Sequence, residues 1–244
     1  MSMKYGVAAI ATALLLAASD ASAQSNEQRW SFTFGGGIAP SVNGIYHEAG
    51  NGTVLSLPTS VSEREWADIY NSGFSMRAGV GYLVGPRAEI TGTFVYLSQD
   101  AEQISVGTVA SLDLRSDFSE YRDWGLEGGV RFHFAPDAVV NPYIAVAGGA
   151  RWIEAMPATF SVPAANVVLT DVPFYDDAVV PTFGGDFGVQ FRAGARIRFG
   201  VETGVRWVGD ISDVEGLAGT GLENLNDTSS RWIVPILGTF SVRF

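Results

Sequence analysis

From Trp30 onward, apolar and polar positions alternate. Trp30, Phe32 and Phe34 stand against Ser31, Thr33 and Gly35. A period of two marks a β-strand with one apolar and one polar face. The pattern recurs and predicts eight strands in four hairpins, over 30–42, 72–84, 88–98, 123–134, 142–153, 183–192, 196–208 and 232–244. The segment 123–134 is the clearest. Trp124, Leu126, Gly128, Val130, Phe132 and Phe134 face one way, and Asp123, Gly125, Glu127, Gly129, Arg131 and His133 the other. In 142–153 the faces are blurred, with Ile144, Val146 and Trp152 opposing Tyr143, Ala145 and Arg151. Gly85-Pro86, the link 135–141 and Ala193-Gly194-Ala195 make short connections. The other connections, over 43–69, 100–118, 155–182 and 209–230, are long.

The charges decide which face points inward. The polar face carries Arg77, Glu89, Glu127, Arg131, Asp186, Arg196, Arg198, Glu202 and Arg206; the other face is Phe, Val, Ile and Trp. A soluble barrel would have to bury those charges around an apolar interior, at a large desolvation cost. Turned apolar-side out, the pattern suits lipid. No apolar stretch after Gln24 is long enough for a spanning helix, and only helices and closed barrels satisfy their backbones in lipid. The expected fold is therefore all-β: a transmembrane up-and-down antiparallel β-barrel of eight strands, with long extracellular loops and short periplasmic turns. Ten strands is the alternative count, since Thr53–Leu57 and Ile104–Val109 either lengthen hairpins beyond the membrane or add strands. Ser62-Glu63-Arg64-Glu65-Trp66 has the form of a capping box and predicts a short helix in the first loop. An eight-stranded barrel is just wide enough for side chains to fill it. The five arginines and four acids inside are expected to pair as a structural plug, with a narrow polar pore as the alternative.

The two ends fit the same picture. Lys4, an apolar run over 7–18 and Ala21-Ser22-Ala23 form a signal peptide, residues 1–23, cleaved near Ala23. The run is short of the ~20 apolar residues a spanning helix needs. Residues 24–244 are then the barrel domain. At the other end Trp232, Val234, Ile236, Gly238, Phe240, Val242 and Phe244 share one face. This strand resembles the one that outer-membrane barrels present to their insertion machinery, with Phe240, Val242 and the final Phe244 on its apolar side. Val242 stands where the commonest form has an aromatic. Over the whole mature region, the hairpin pattern and terminal strand resemble the small OmpA/OmpX/Ail/OmpW-type outer-membrane barrels. The resemblance implies the outer membrane of a Gram-negative bacterium, contact with outer-membrane lipid and lipopolysaccharide, the barrel-insertion machinery as a folding partner, and a monomer.

Composition narrows the chemistry. Twenty-nine glycines, 12% aromatics and a mean hydropathy of +0.17 suit a barrel with a polar interior. There is no cysteine, so no thiol chemistry, disulfide or Cys-ligated metal. The net charge is −11, Lys4 is the only lysine, and no basic stripe exists to bind nucleic acid. The long loops hold sixteen acids against Arg64 and Arg115, so they sum to −14. An acidic rim could gather cations or basic partners. Asp176-Asp177 and Asp210-x-x-Asp213 lack calcium-loop spacing, however, and the reading preferred is a solvated surface. No cofactor or metal is expected. Neither His47, in the first loop, nor His133, at the end of the fourth strand, has a serine and acid at a spacing suited to hydrolysis. Gly35-Gly36-Gly37 is not a phosphate loop, because no helix or Lys follows. The third loop is unusually apolar from Thr159 to Thr170 and from Val172 to Tyr175. It could present a partner site, fold over the barrel mouth, or continue its flanking strands. The expected function is non-enzymatic: envelope structure, adhesion or partner binding through acidic extracellular loops. The alternatives are a narrow channel for small, including hydrophobic, solutes and, third, a lipid-A-modifying enzyme.

Overall fold

The computed structural model describes residues 28–54, 56–211, 219–227 and 229–244. The segment 1–23, expected to be a signal peptide, and Asp213 and Glu215 lie outside the described residues. In chain order the elements are β1 (Trp30–Ala39), β2 (Ser41–Asn43), β3 (Ile45–His47), β4 (Gly50–Val54), β5 (Leu57–Val61), β6 (Arg64–Glu65) and one helical turn (Trp66–Ile69). Then follow β7 (Gly73–Leu83), β8 (Ala88–Gln99), β9 (Ile104–Val109), β10 (Leu112–Phe118), β11 (Tyr121–His133), β12 (Val140–Ile153) and β13 (Met156–Val162). The last are β14 (Val167–Tyr175), β15 (Ala178–Arg192), β16 (Ile197–Val208), β17 (Arg231–Ile233) and β18 (Ile236–Arg243).

Eight of these strands close a barrel. β1, β7, β8, β11, β12, β15, β16 and β18 each pair antiparallel with the next, and β18 returns to β1. In that closing pair Phe34 stands opposite Phe240 and Phe32 opposite Val242. The Phe244 amide donates to the Trp30 carbonyl at 2.9 Å. The expected terminal strand thus seals the cylinder and leaves no free edge. At ~3.3 Å per residue and a tilt near 45°, the thirteen residues of β11 rise roughly 30 Å, the thickness of a bilayer core.

The outer surface is apolar. Phe34, Val80, Ile90, Leu126, Val130, Phe187, Val201 and Val205 are exposed on it. Aromatic pairs edge the belt. Trp124 stacks on Trp152 at 4.4 Å and Phe183 lies 5.0 Å from Trp207 near the long-loop end; Trp30 meets Tyr82 at 4.9 Å near the short turns. Such girdles mark the two interfaces of a membrane. The chain is a transmembrane β-barrel. Among the described residues no helix is long and apolar enough to cross a membrane.

Eight barrel strands, not ten, answer the open count. The segments around Thr53 and Ile104 belong to a second sheet at the long-loop end, ordered β14-β13-β10-β9-β5-β4. The strand expected over 30–42 breaks at Pro40 into β1 and β2, and the last one breaks before Pro235. Proline cannot donate to a ladder, so both strands jog there. The helical turn is capped at Glu65, later in the chain than the Ser62 that the capping box predicts. The Glu65 amide donates to Asp68 at 3.1 Å, so Ser62 plays no part.

Candidate functional site

The lumen is filled by a continuous ladder of charge. Near the long-loop end Arg231 Nη2 lies 3.9 Å from Asp123. Asp123 takes Arg151 at 2.7 Å, and Arg151 reaches on to Glu127 at 3.1 Å. Glu127 also takes Arg206 at 3.2 Å, and Arg206 holds Asp186 at 2.6 Å. Arg77 bridges Asp186 (3.4 Å) and Glu202 (2.8 Å); Arg131 bridges Glu202 (3.6 Å) and Glu89 (3.3 Å). The ladder ends where His133 Nε2 meets Glu89 at 3.0 Å and Nδ1 meets Asn141 at 2.8 Å. Alternation along β11 makes this possible: Asp123, Glu127, Arg131 and His133 all fall on its inner face. The central gap left among these side chains is only about 40 Å³.

Seven of the nine charges expected inside join the ladder. Two do not. Arg196 stands in the turn before β16, half-buried, because the strand starts one residue later than its sequence pattern suggests. Arg198 is buried at the short-turn mouth but donates to the Pro136 carbonyl at 2.8 Å instead of to a carboxylate. Asp123, Arg151, Arg231 and His133 are members that the sequence reading left out. Asp123 and His133 share the polar face of 123–134 and could have been counted. Ser31, which the sequence did not place near His133, donates to Glu89. The acid therefore lies between serine and imidazole, an order that does not let the imidazole activate the hydroxyl.

Above the ladder an aromatic layer closes the barrel. Tyr46, Trp66, Tyr70, Phe118, Tyr121, Phe174 and Tyr175 are all buried there. Tyr46 lies at the centre, 4.7 Å from Trp66, 4.8 Å from Phe118 and 5.3 Å from Tyr175. Their polar tips are tied down. Trp66 Nε1 donates to the Ser229 carbonyl at 3.0 Å, Tyr70 to the Ser119 carbonyl at 3.1 Å, and Tyr121 to Asp123 at 2.5 Å. Burial holds the Tyr46 and Tyr70 phenols well above their ordinary range, so they stay uncharged. The Arg231 guanidinium is sandwiched 3.7 Å from the Trp66 ring and 3.8 Å from the Tyr121 ring. Two π-faces stand in for hydrogen bonds there.

Beyond this layer the chain builds a head. β9–β10 and β13–β14 prolong barrel strands past the rim, and β10 joins β13 with Arg115 opposite Ser161. The first loop adds β4–β5, docked on β9 with Thr59 opposite Val109. The fourth loop clips the free edge: the Thr53 amide donates to Thr220, and Glu48 to Leu225, each at 2.7 Å. The third loop therefore continues its flanking strands. Together these pieces enclose a cavity of about 280 Å³. Its walls are Val54, Val61, Val106, Leu114, Val162, Val172 and Leu222, with Phe118, Phe160, Phe174 and His47 towards the aromatic layer. The acids stay outside. Asp113, Asp117, Asp171 and Glu223 are exposed on the head, and Asp113, held below the usual carboxylate range by hydrogen bonds from Ser105 and Arg115, pairs with Arg115 at 2.8 Å. Among the described residues no three His, Asp or Glu side chains converge as a metal site would need.

The chain is a small eight-stranded transmembrane barrel of outer-membrane architecture, carrying a strand-built head. No protein-family model and no curated protein sequence matches it. Its fold is similar to that of Neisserial surface protein A, at 11% identity and a TM-score of 0.45, over 91% of this chain and 100% of that one. It is also similar to Ail, the attachment invasion locus protein of Yersinia pestis (13% identity, TM-score 0.39, 88% and 99% covered). The outer membrane protein OprG from Pseudomonas aeruginosa is a third likeness, at 9% identity and TM-score 0.44, with 88% and 96% covered.

Proposed function

We propose that this protein is a Gram-negative outer-membrane barrel that works as a surface binding protein, through its head, and not as a conduit. Short turns at 84–87, 134–139 and 193–196 face the periplasm in this reading, and the long connections that build the head face outward. The observation that carries it is the filled lumen. A ladder of paired charges spans the barrel, and a packed aromatic layer lies over it. A solute reaching the head cavity meets that layer as its floor. The construction that remains for function is the head: an apolar cup with acidic outer walls. Adhesion, ligand capture or partner binding are what such a surface offers, and the protein's own insertion is assigned to the terminal Phe240, Val242 and Phe244.

The test is conductance. Purified, refolded protein in a planar bilayer is expected to stay at background current. Reproducible single-channel steps that depend on the protein would overturn the proposal and leave the channel reading in its place.

A further inference from the structure

We propose that the head cavity binds a small apolar molecule carrying one hydrogen-bond donor, such as an alkylphenol or alkanol, and disfavours the matching carboxylate. This deepens the reading of the head as the working part and rests on it.

The walls take hydrocarbon; the polar content of the cavity sets the class of ligand. Among the described residues, His47 is the only ionisable one that lines it. Its Nδ1 lies 3.3 Å from the Glu48 carbonyl oxygen, which can only accept, so Nδ1 carries the proton. Nε2 is then a lone-pair acceptor, and among the described residues the ring's hydrogen bond is the one at Nδ1. Burial lowers the imidazole pKa to about 4, so the ring is neutral near pH 7. Three neutral hydroxyls also line it among the described residues, those of Thr59, Ser161 and Thr220. Thr59 Oγ1 donates to the Leu57 carbonyl at 3.2 Å, and Thr220 Oγ1 accepts from the Leu222 amide at 3.2 Å. A ligand hydroxyl would supply the donor that His47 lacks.

An anionic head group finds the opposite. Among the described residues no arginine or lysine lines the cavity. Arg115 is paired with Asp113 at 2.8 Å, and Arg64, opposite His47 in the β3–β6 pair, is turned to the Ser105 carbonyl at 2.6 Å and does not line the cavity. Asp113, Asp171 and Glu223 stand exposed beside the lining residues Leu114, Val172 and Leu222. A carboxylate entering would lose its hydration, gain no counter-charge and cross an acidic field. The way in is at the hairpin tips. Leu57, Leu112 and Leu169 line the cavity and are also 46%, 38% and 41% exposed. Size fits as well, since an apolar cavity of ~150 Å³ already admits benzene.

The experiment uses the whole mature protein refolded in lipid nanodiscs, with empty nanodiscs subtracted. Displacement of a neutral naphthylamine fluorophore by 4-butylphenol and by 4-butylbenzoate is read at pH 7.5. The phenol is expected to bind at least about tenfold more tightly, the scale of one unpaired polar group. His47→Phe should weaken phenol binding and lose the preference over benzoate while the unboiled protein keeps the gel mobility of a folded barrel, and the fluorophore, whose amine is also a donor, should weaken with the phenol; His47→Gln, which can still accept, should keep part of the preference. Equal affinities for phenol and benzoate, or a preference untouched in His47→Phe, would refute the ligand class while leaving the head as a binding surface. No saturable binding by any of the three probes would refute the cavity as a ligand site. A protein that conducts in bilayers would instead overturn the underlying reading.

Discussion

Glu127→Gln tests whether the lumen is a dry, paired ladder. Glu127 is 5% exposed and sits between Arg151 at 3.1 Å and Arg206 at 3.2 Å. It is the single link between the upper pair, Asp123–Arg151, and the lower run from Arg206 to His133. Glutamine keeps the shape and removes the charge. Two guanidiniums then face one another across a neutral amide, each keeping one acid: Asp123 at 2.7 Å and Asp186 at 2.6 Å. Each lost attraction amounts to about 4 kcal/mol at an effective dielectric of ~20. The retained acids and the amide oxygen offset part of this, and breaking one side of a buried pair typically costs about 3–5 kcal/mol. The expected loss is therefore about 3 kcal/mol, towards the lower end.

The assay is urea unfolding of vesicle-inserted protein, followed by tryptophan fluorescence. It is run on the wild type, Glu127→Gln, Arg206→Met and the double variant. The double variant should be more stable than the two single losses predict, by ~2 kcal/mol, because it removes a charge of each sign. A loss under ~1 kcal/mol in Glu127→Gln, with no coupling to Arg206, would mean that water screens the pair. The lumen would then be hydrated, the closed-barrel reading would fail, and conductance should appear.

Two further outcomes follow from the head. His47 is held neutral, with its pKa moved from 6.5 to about 4. The unfolded chain binds the proton first as pH falls, so stability drops between about pH 6.5 and 4, by roughly 3 kcal/mol, and levels off below. The urea midpoint of His47→Phe should lose that part of the slope; identical slopes would show that His47 is not buried neutral. Gly107→Ala should detach the β4–β5 hairpin, because a Cβ there would sit 2.0 Å from the Ser60 carbonyl oxygen across the β5–β9 join. Naphthylamine binding should fall at least about tenfold while the unboiled protein still migrates as a folded barrel on a gel; unchanged binding would show that this hairpin is no part of the cavity wall.

The barrel was legible because its period of two is repeated over strands long enough to count, and because charge parity shows which face is wet. The same parity placed Arg77, Glu127 and Glu202 inside before any contact was known. Parity has limits where strand ends matter. Arg196 and Arg198 share one face, yet β16 begins between them, and neither meets an acid. Arg231 falls between the fourth loop and the last strand, in neither. Its place depends on two ring planes, Trp66 and Tyr121, brought over it by the first loop and β11, and no local pattern announces that. The head was hidden for a similar reason. Val54, Val106, Leu114, Val162 and Leu222 come from four separate loops, whose short strands cannot bury a face alone. Only when β10 pairs β13 and β5 pairs β9 do their apolar sides meet. The apolar third loop and the segments 53–57 and 104–109 were its visible traces. Phe160, Val162, Val167, Val172 and Phe174 are wall residues of a cavity, which is why an exposed loop could be so rich in apolar side chains while its acids stayed outside.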